Sequence, residues 1–152
     1  MAPRLMLAAF LMLGLASTAM AAGSTSTSTP PDSRFKDAES LVKAGDFASA
    51  IPLLQKVVAN DPNNADALNY LGFSYRKLGD LEPASTYYEK ALAVNGRHKG
   101  ALEYQGELFL KLGKPELAEK NLRVLDKVCT FGCEEYDDLK AAIKAYMAKQ
   151  SS

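Results

Sequence analysis

The sequence predicts an all-α fold, an α-solenoid of three helix–turn–helix repeats with a C-terminal capping helix. Three observations predict it. First, sliding the 152-residue chain against itself by 34 positions aligns several columns at once: Gly45, Gly79 and Gly113; Ala50, Ala84 and Ala118; and the small residues Ala38, Gly72 and Gly106. Large apolar columns keep the same spacing, Leu41 with Tyr75 and Phe109, Leu54 with Tyr88 and Leu122, and Val57 with Ala91 and Leu125. A fixed period of this size marks stacked supersecondary units. Second, each period holds two helical stripes. In the middle copy Leu68, Leu71, Tyr75 and Leu78 run up to Gly79, and Leu81, Ala84, Tyr88, Ala91 and Leu92 follow it. Third, Tyr136, Leu139, Ile143, Tyr146 and Met147 form one further stripe near the C-terminal end.

The elements follow in order. Arg4, an apolar run from Leu5 to Leu15 and the ending Ala19-Met20-Ala21 have the layout of a secretory signal peptide over residues 1–21, cleaved after Ala21. That places the mature chain in the periplasm or outside the cell. An uncleaved anchor is the alternative, although Ser17 and Thr18 interrupt the apolar stretch and a span needs roughly 20 residues. Residues 22–31 read as a Ser/Thr/Pro-rich disordered leader with nothing to bury. The repeat domain then runs over 32–149, with copies at about 31–64, 65–98 and 99–132. In each copy the glycine sits where a helix C-terminus wants a left-handed residue, and Asp61-Pro62-Asn63-Asn64 turns the first pair into the second. The small-residue and alanine columns allow two antiparallel helices to approach closely. Arg34 and Asp37 stand where large apolar residues are expected, which leaves the first helix weakly covered. In the third copy Gln105 replaces a leucine. The capping helix, about 134–149, crowds Glu134, Glu135, Asp137 and Asp138 into its first turns and carries Lys140, Lys144 and Lys149 later, which suits the helix dipole.

Leu68, Leu71-Gly72, Tyr75, Leu78-Gly79-Asp80, Ala84, Tyr88 and Ala91 of the middle copy resemble the tetratricopeptide repeat, a 34-residue helix–turn–helix unit. The resemblance covers about residues 31–126, with Gly96 where the usual closing proline would stand. It implies a right-handed solenoid whose first helices line a concave groove, and a non-catalytic protein- or peptide-binding role, here as an adaptor of the bacterial cell envelope. Off the packing stripes, the residues expected to face that groove are Asp32, Phe35, Glu39 and Lys43; Asp66, Asn69, Phe73, Arg76 and Lys77; and Glu103, Glu107, Leu110 and Lys111. Phe73 beside Asn69 and Arg76 suits the gripping of an extended peptide, or else it packs between neighbouring repeats. The family's basic clamp for C-terminal carboxylates is missing, since Phe35, Glu39, Tyr70, Gly100 and Tyr104 occupy its places.

Cys129 and Cys133 are the only thiols. In an oxidising compartment a disulfide is the default, with Gly132 breaking the helix so that the sulfurs can approach. A redox-active pair, or a Cu(I) site in a thiol- or copper-handling maturation factor, is the competing reading. It lacks a nearby histidine, and Glu134 and Glu135 would raise a thiol pKa. The pair resembles the tail of small secreted bacterial repeat proteins, where two cysteines precede Glu-Glu-Tyr and an Asp-Leu-Lys helix. His98 reads as part of a solvated linker, and Glu103 with Glu107 as a pair on a solvated face.

Composition supports binding over catalysis. Hydrophobic residues make up 47% and charged residues 24%, ordinary globular values. Eighteen basic residues balance eighteen acidic ones, so no positive field gathers nucleic acid. One histidine argues against a histidine-built metal centre or a Ser-His-Asp site. No catalytic residue, metal, cofactor or small-molecule substrate is expected. The expected partner is a protein or peptide, with a membrane involved only if the N-terminal segment stays attached.

Overall fold

A computed structural model describes residues 31–151. The expected signal peptide and all but the last residue of the expected leader lie outside the described residues. Those described form seven helices and no strand: α1 (Pro31–Lys43), α2 (Phe47–Asn60), α3 (Ala65–Leu78), α4 (Leu81–Val94), α5 (Lys99–Lys111), α6 (Pro115–Val128) and α7 (Glu134–Gln150). The all-α solenoid read from the 34-residue period is therefore the observed fold.

The turns obey local chemistry. Gly79 closes α3 at φ +94°, its N–H donating to the Arg76 carbonyl at 3.2 Å while the Asp80 N–H donates to the Tyr75 carbonyl at 2.9 Å. These two bonds satisfy carbonyls that a helix end would otherwise leave bare, and only a residue without Cβ reaches that φ at little cost. The same pair of bonds closes α1 at Gly45 and α5 at Gly113. At the starts, the Asp46 carboxylate accepts from the Ser49 N–H at 3.1 Å and the Asn64 side chain from the Ala67 N–H at 2.9 Å.

Packing is between near neighbours only. Each first helix lies on its second helix, each second helix meets the next first helix, and α1 touches α3 as α3 touches α5. The first helices thus stand side by side along one face. Helix α7 lies against α5 and α6, much as α5 lies against α3 and α4, so it takes the place of a fourth first helix. Ala38, Ala50, Ala84 and Ala118 are fully buried at the crossings. A Cβ on Gly72 would lie 2.6 Å from the Tyr88 ring, and one on Gly106 would lie 2.6 Å from a methyl of Leu139, so a methyl at either position must displace its neighbour. The leucine replaced by Gln105 is compensated by Asn121, whose Nδ2 donates to Gln105 Oε1 and to the Leu102 carbonyl, both at 3.0 Å.

Helix α6 ends at Val128, Gly132 turns the chain at φ +83°, and Cys129 and Cys133 are joined by a disulfide with their Cα atoms 5.6 Å apart. The bridge ties the end of α6 to the start of α7, as an oxidising compartment and a helix break at Gly132 lead one to expect. Phe131 at the tip of this loop is fully exposed.

Gly72→Ala should lower stability by about 1–3 kcal/mol, because the methyl must displace a buried tyrosine ring. Gly96→Ala, whose added carbon would have its nearest neighbour at 3.6 Å, should change it by less than about 0.5 kcal/mol. Urea unfolding of the two variants checks the contrast.

Candidate functional site

Aromatic side chains from α1, the start of α2, α3 and α5 form a row where the first helices stand side by side. Phe35 meets Tyr70 with ring centroids 5.9 Å apart, Phe47 meets Phe73 edge-on at 5.8 Å, and Phe73 meets Tyr104 at 4.7 Å. Among these rings Val42 and Lys43 of α1, Tyr70 and Phe73 of α3, and Tyr104 of α5 line an open pocket of about 370 Å³. One rim is held by a small polar chain. The Tyr70 hydroxyl donates to Glu39 Oε1 at 3.1 Å, and Lys43 Nζ pairs with the same carboxylate at 3.0 Å. The Lys43 bond, with help from Tyr70, holds Glu39 below the usual carboxylate range, while burial beside Glu39 pushes the Tyr70 phenol up to about 12. Lys77 Nζ lies 5.1 Å from the Phe73 centroid, over the ring face.

Arg76 is the second feature. It is buried, yet it makes contacts on three helices: Nη1 pairs with Glu107 Oε2 of α5 at 2.6 Å, Nε donates to the Tyr88 hydroxyl of α4 at 3.3 Å, and the guanidinium lies over the rings of Phe73 and Tyr104 at 5.4 and 5.5 Å. A planar guanidinium suits this combination of ion pair and ring stacking, which an ammonium would not reproduce. Burial raises the Tyr88 and Tyr104 hydroxyls above the ordinary phenol value.

Several residues expected to face open groove stand elsewhere. Asn69, Arg76 and Glu103 are 5%, 5% and 7% exposed, because each points into the seam between neighbouring repeats rather than along the groove. Leu110 is likewise buried. Phe73 is half-buried between Phe47 and Tyr104, which combines its two readings: it packs between repeats and still lines the pocket. Glu107 is bound to Arg76, so Glu103 and Glu107 are not a solvated pair. Burial, followed by the charges of Glu107, Asp138 and Glu135, raises the Glu103 carboxyl to about 8, with Arg76 opposing. His98 is no free linker either. Its Nδ1 accepts from the Ala101 N–H at 3.1 Å, capping α5, and Nε2 lies 2.9 Å from Asp66 Oδ1. A ring acceptor in place of the usual Asn or Ser explains why this cap was not legible.

Tyr70 and Tyr104, 34 residues apart and at the clamp positions of the sequence, form one column that walls the pocket. Glu135 and Asp138, acids in the first turns of the cap, also act on the Glu103 carboxyl across the α5–α7 contact. Near the disulfide, Glu135 brings a carboxylate oxygen within 4.8 Å of both sulfurs. Copper binding by the two sulfurs would need the bridge reduced first, whereas exchange would start with an external thiolate attacking the intact bridge.

Two tetratricopeptide repeat family patterns match the chain, over residues 41–97 and 72–127, and together they span more than half of it. The chain is similar in structure to the type III secretion translocator chaperone SycD of Yersinia enterocolitica, with a TM-score of 0.70 and 16% identity over 80% of this chain and 95% of that one. It is similar to the Sgt2 TPR domain of Aspergillus fumigatus, with a TM-score of 0.71 and 18% identity over 81% of each chain. It is also similar to the first TPR of Spaghetti (RPAP3) bound to the HSP90 peptide SRMEEVD, with a TM-score of 0.67 and 21% identity over 76% of this chain and 91% of that one. No curated protein matches the chain in sequence.

The raised Glu103 carboxyl makes stability pH-dependent. In the unfolded chain it titrates near the ordinary glutamate value of about 4.3, whereas in the fold it holds its proton to about 8. Between those values the native state binds more protons, so its contribution is full below pH 4 and is lost as pH rises through 8. The urea midpoint of wild type relative to Glu103→Gln should therefore fall across that window. A flat difference would show that Glu103 ionises normally.

Proposed function

The chain belongs to the tetratricopeptide repeat family, and from that premise we propose that it is a non-catalytic adaptor of the bacterial cell envelope, binding an extended segment of a partner protein along its concave face. The observation that carries this reading is the aromatic pocket contributed by three successive first helices through Val42, Lys43, Tyr70, Phe73 and Tyr104. Rigid aromatic walls offer large contact area with little conformational entropy to lose, as binding hot spots require. The pocket is also open along the groove, which fits a side chain of a through-running peptide better than an enclosed small molecule. Two of the similar folds hold peptides: SycD with a peptide of the translocator YopD, and RPAP3 with SRMEEVD. The Arg4–Ala21 segment and the disulfide support an envelope location, because such bridges persist in oxidising compartments. No helix among the described residues is long and apolar enough to cross a membrane.

A photo-crosslinking amino acid at Lys77, on the pocket rim, should capture a protein partner from envelope extract. The same group at Lys90, on the exposed side of α4, should not. Phe73→Ala, with folding verified by circular dichroism, should lower the Lys77 yield by about tenfold, the size of one hot-spot contact. Equal yields from both positions would count against the groove. Mass spectrometry of the exported protein should find an N-terminus at Ala22 and no alkylatable thiol.

A further inference from the structure

The groove has two chemically different ends that meet at Tyr104. Toward α1 and α3 lies the aromatic pocket. Toward α5 and α7 lie carboxylates: Glu103 and Glu107 one turn apart on α5, with Glu135 and Asp138 from α7 close enough to raise Glu103. The cation placed among them, Arg76, is spent on Glu107, Tyr88 and two rings. Glu103 is more than nine-tenths buried and makes no hydrogen bond or ion pair with any described residue. Asn69, its counterpart one period earlier, packs against Gly100 one turn before Glu103, and its buried Oδ1 also lacks a donor. A buried acceptor without a donor normally finds one in protein or solvent. Here the enclosed Asn69 Oδ1 lacks one, and the Glu103 carboxylate, which still reaches solvent, has no protein donor, beside the carboxylates of Glu107, Glu135 and Asp138.

We infer that the α5–α7 end of the groove takes a lysine or arginine side chain of the bound peptide, held by Glu103 and flanked by Glu107, Glu135 and Asp138, next to an apolar side chain in the Val42–Tyr104 pocket. This rests on the peptide-binding reading. A cation there gives the Glu103 carboxylate a donor and offsets the negative charge of Glu107, Glu135 and Asp138. An acidic segment meets the opposite field and is rejected. The groups facing Glu103 are Arg76 of α3, Tyr104 and Glu107 of α5, and Glu135 and Asp138 of α7, with Tyr88 of α4 behind Arg76. An incoming cation favours the ionised form of Glu103, so binding expels a proton near neutral pH. Affinity then rises with pH until Glu103 is ionised in the free protein, at about 8.

A phage-displayed library of random dodecapeptides, selected on the purified chain, tests this. Selected peptides should carry Lys or Arg beside an apolar residue. Replacing that basic residue by Gln in a synthetic copy should weaken binding to wild type by about tenfold or more, and far less to Glu103→Gln, which imitates the protonated acid and keeps its shape. Calorimetry at pH 7 in buffers of different ionisation enthalpy should show proton release with wild type and none with Glu103→Gln. Selected peptides without a basic residue, or equal loss with both proteins, would overturn the basic-residue inference while leaving the peptide-binding reading intact. Failure to select any peptide, or selection unaffected by Phe73→Ala, would overturn both.

Discussion

The architecture depends on how closely successive helices approach at one small-residue column. With only hydrogen at Gly72, the Tyr88 ring packs close against the backbone of α3, and with only hydrogen at Gly106, Leu139 packs close against α5. An isolated helix pair of this length exposes most of its apolar stripe and is marginal in water. Stacking removes that exposure, but only where backbones come near enough for side chains of the next helix to fill the seam. Tyr88 and Leu139 are both fully buried as a result. The first contact lies within a repeat and the second between the last repeat and α7. The cap therefore completes the core by the same close approach that joins the pairs.

That approach sets the geometry of the concave face. First helices packed side by side bring residues 34 apart in sequence into rows, and the rows of Tyr70 with Tyr104 and Asn69 with Glu103 face adjacent parts of the groove and its seams. Arg76 then works as a local organiser. Its guanidinium spans α3, α4 and α5, fixes the orientation of Phe73 and Tyr104 from one side, and takes up Glu107. Replacing one partner of such a buried pair leaves the other uncompensated, so the aromatic pocket and the acidic end share a common support.

Much of the fold was legible because the period, the glycine turns and the apolar stripes each have one structural meaning and they agree. Helix boundaries followed from Gly79, Asn64 and Gly132. The candidate site was less legible, and the reason is geometric. Helical spacing assigns a residue to a face, but a first helix in a stack has neighbours on two sides, and the seam between repeats falls on positions that look outward in a single pair. Arg76, Asn69 and Glu103 all lie in that seam. The α7 carboxylates that act on Glu103 reach it only through the packing of α7 against α5, which is a tertiary fact. His98 was hidden for a different reason, since an imidazole acting as helix cap has no short sequence signature comparable to Asp or Asn.

The same geometry explains why an acidic residue can be tolerated at Glu103. A buried ionised carboxylate without a partner is heavily penalised, and the group avoids the penalty by keeping its proton, at the expense of a pH-dependent stability. Arg76 opposes the rise only in part, because Glu107, one turn along α5, already holds that guanidinium at 2.6 Å. A Gln at position 103 would give similar packing without the titration, as Gln105 shows two residues away with Asn121 as its donor. What distinguishes Glu103 from Gln105 is the absence of an internal donor together with a setting of further carboxylates. A structural role alone is served by the neutral amide. The acid becomes advantageous when a positive group arrives from outside.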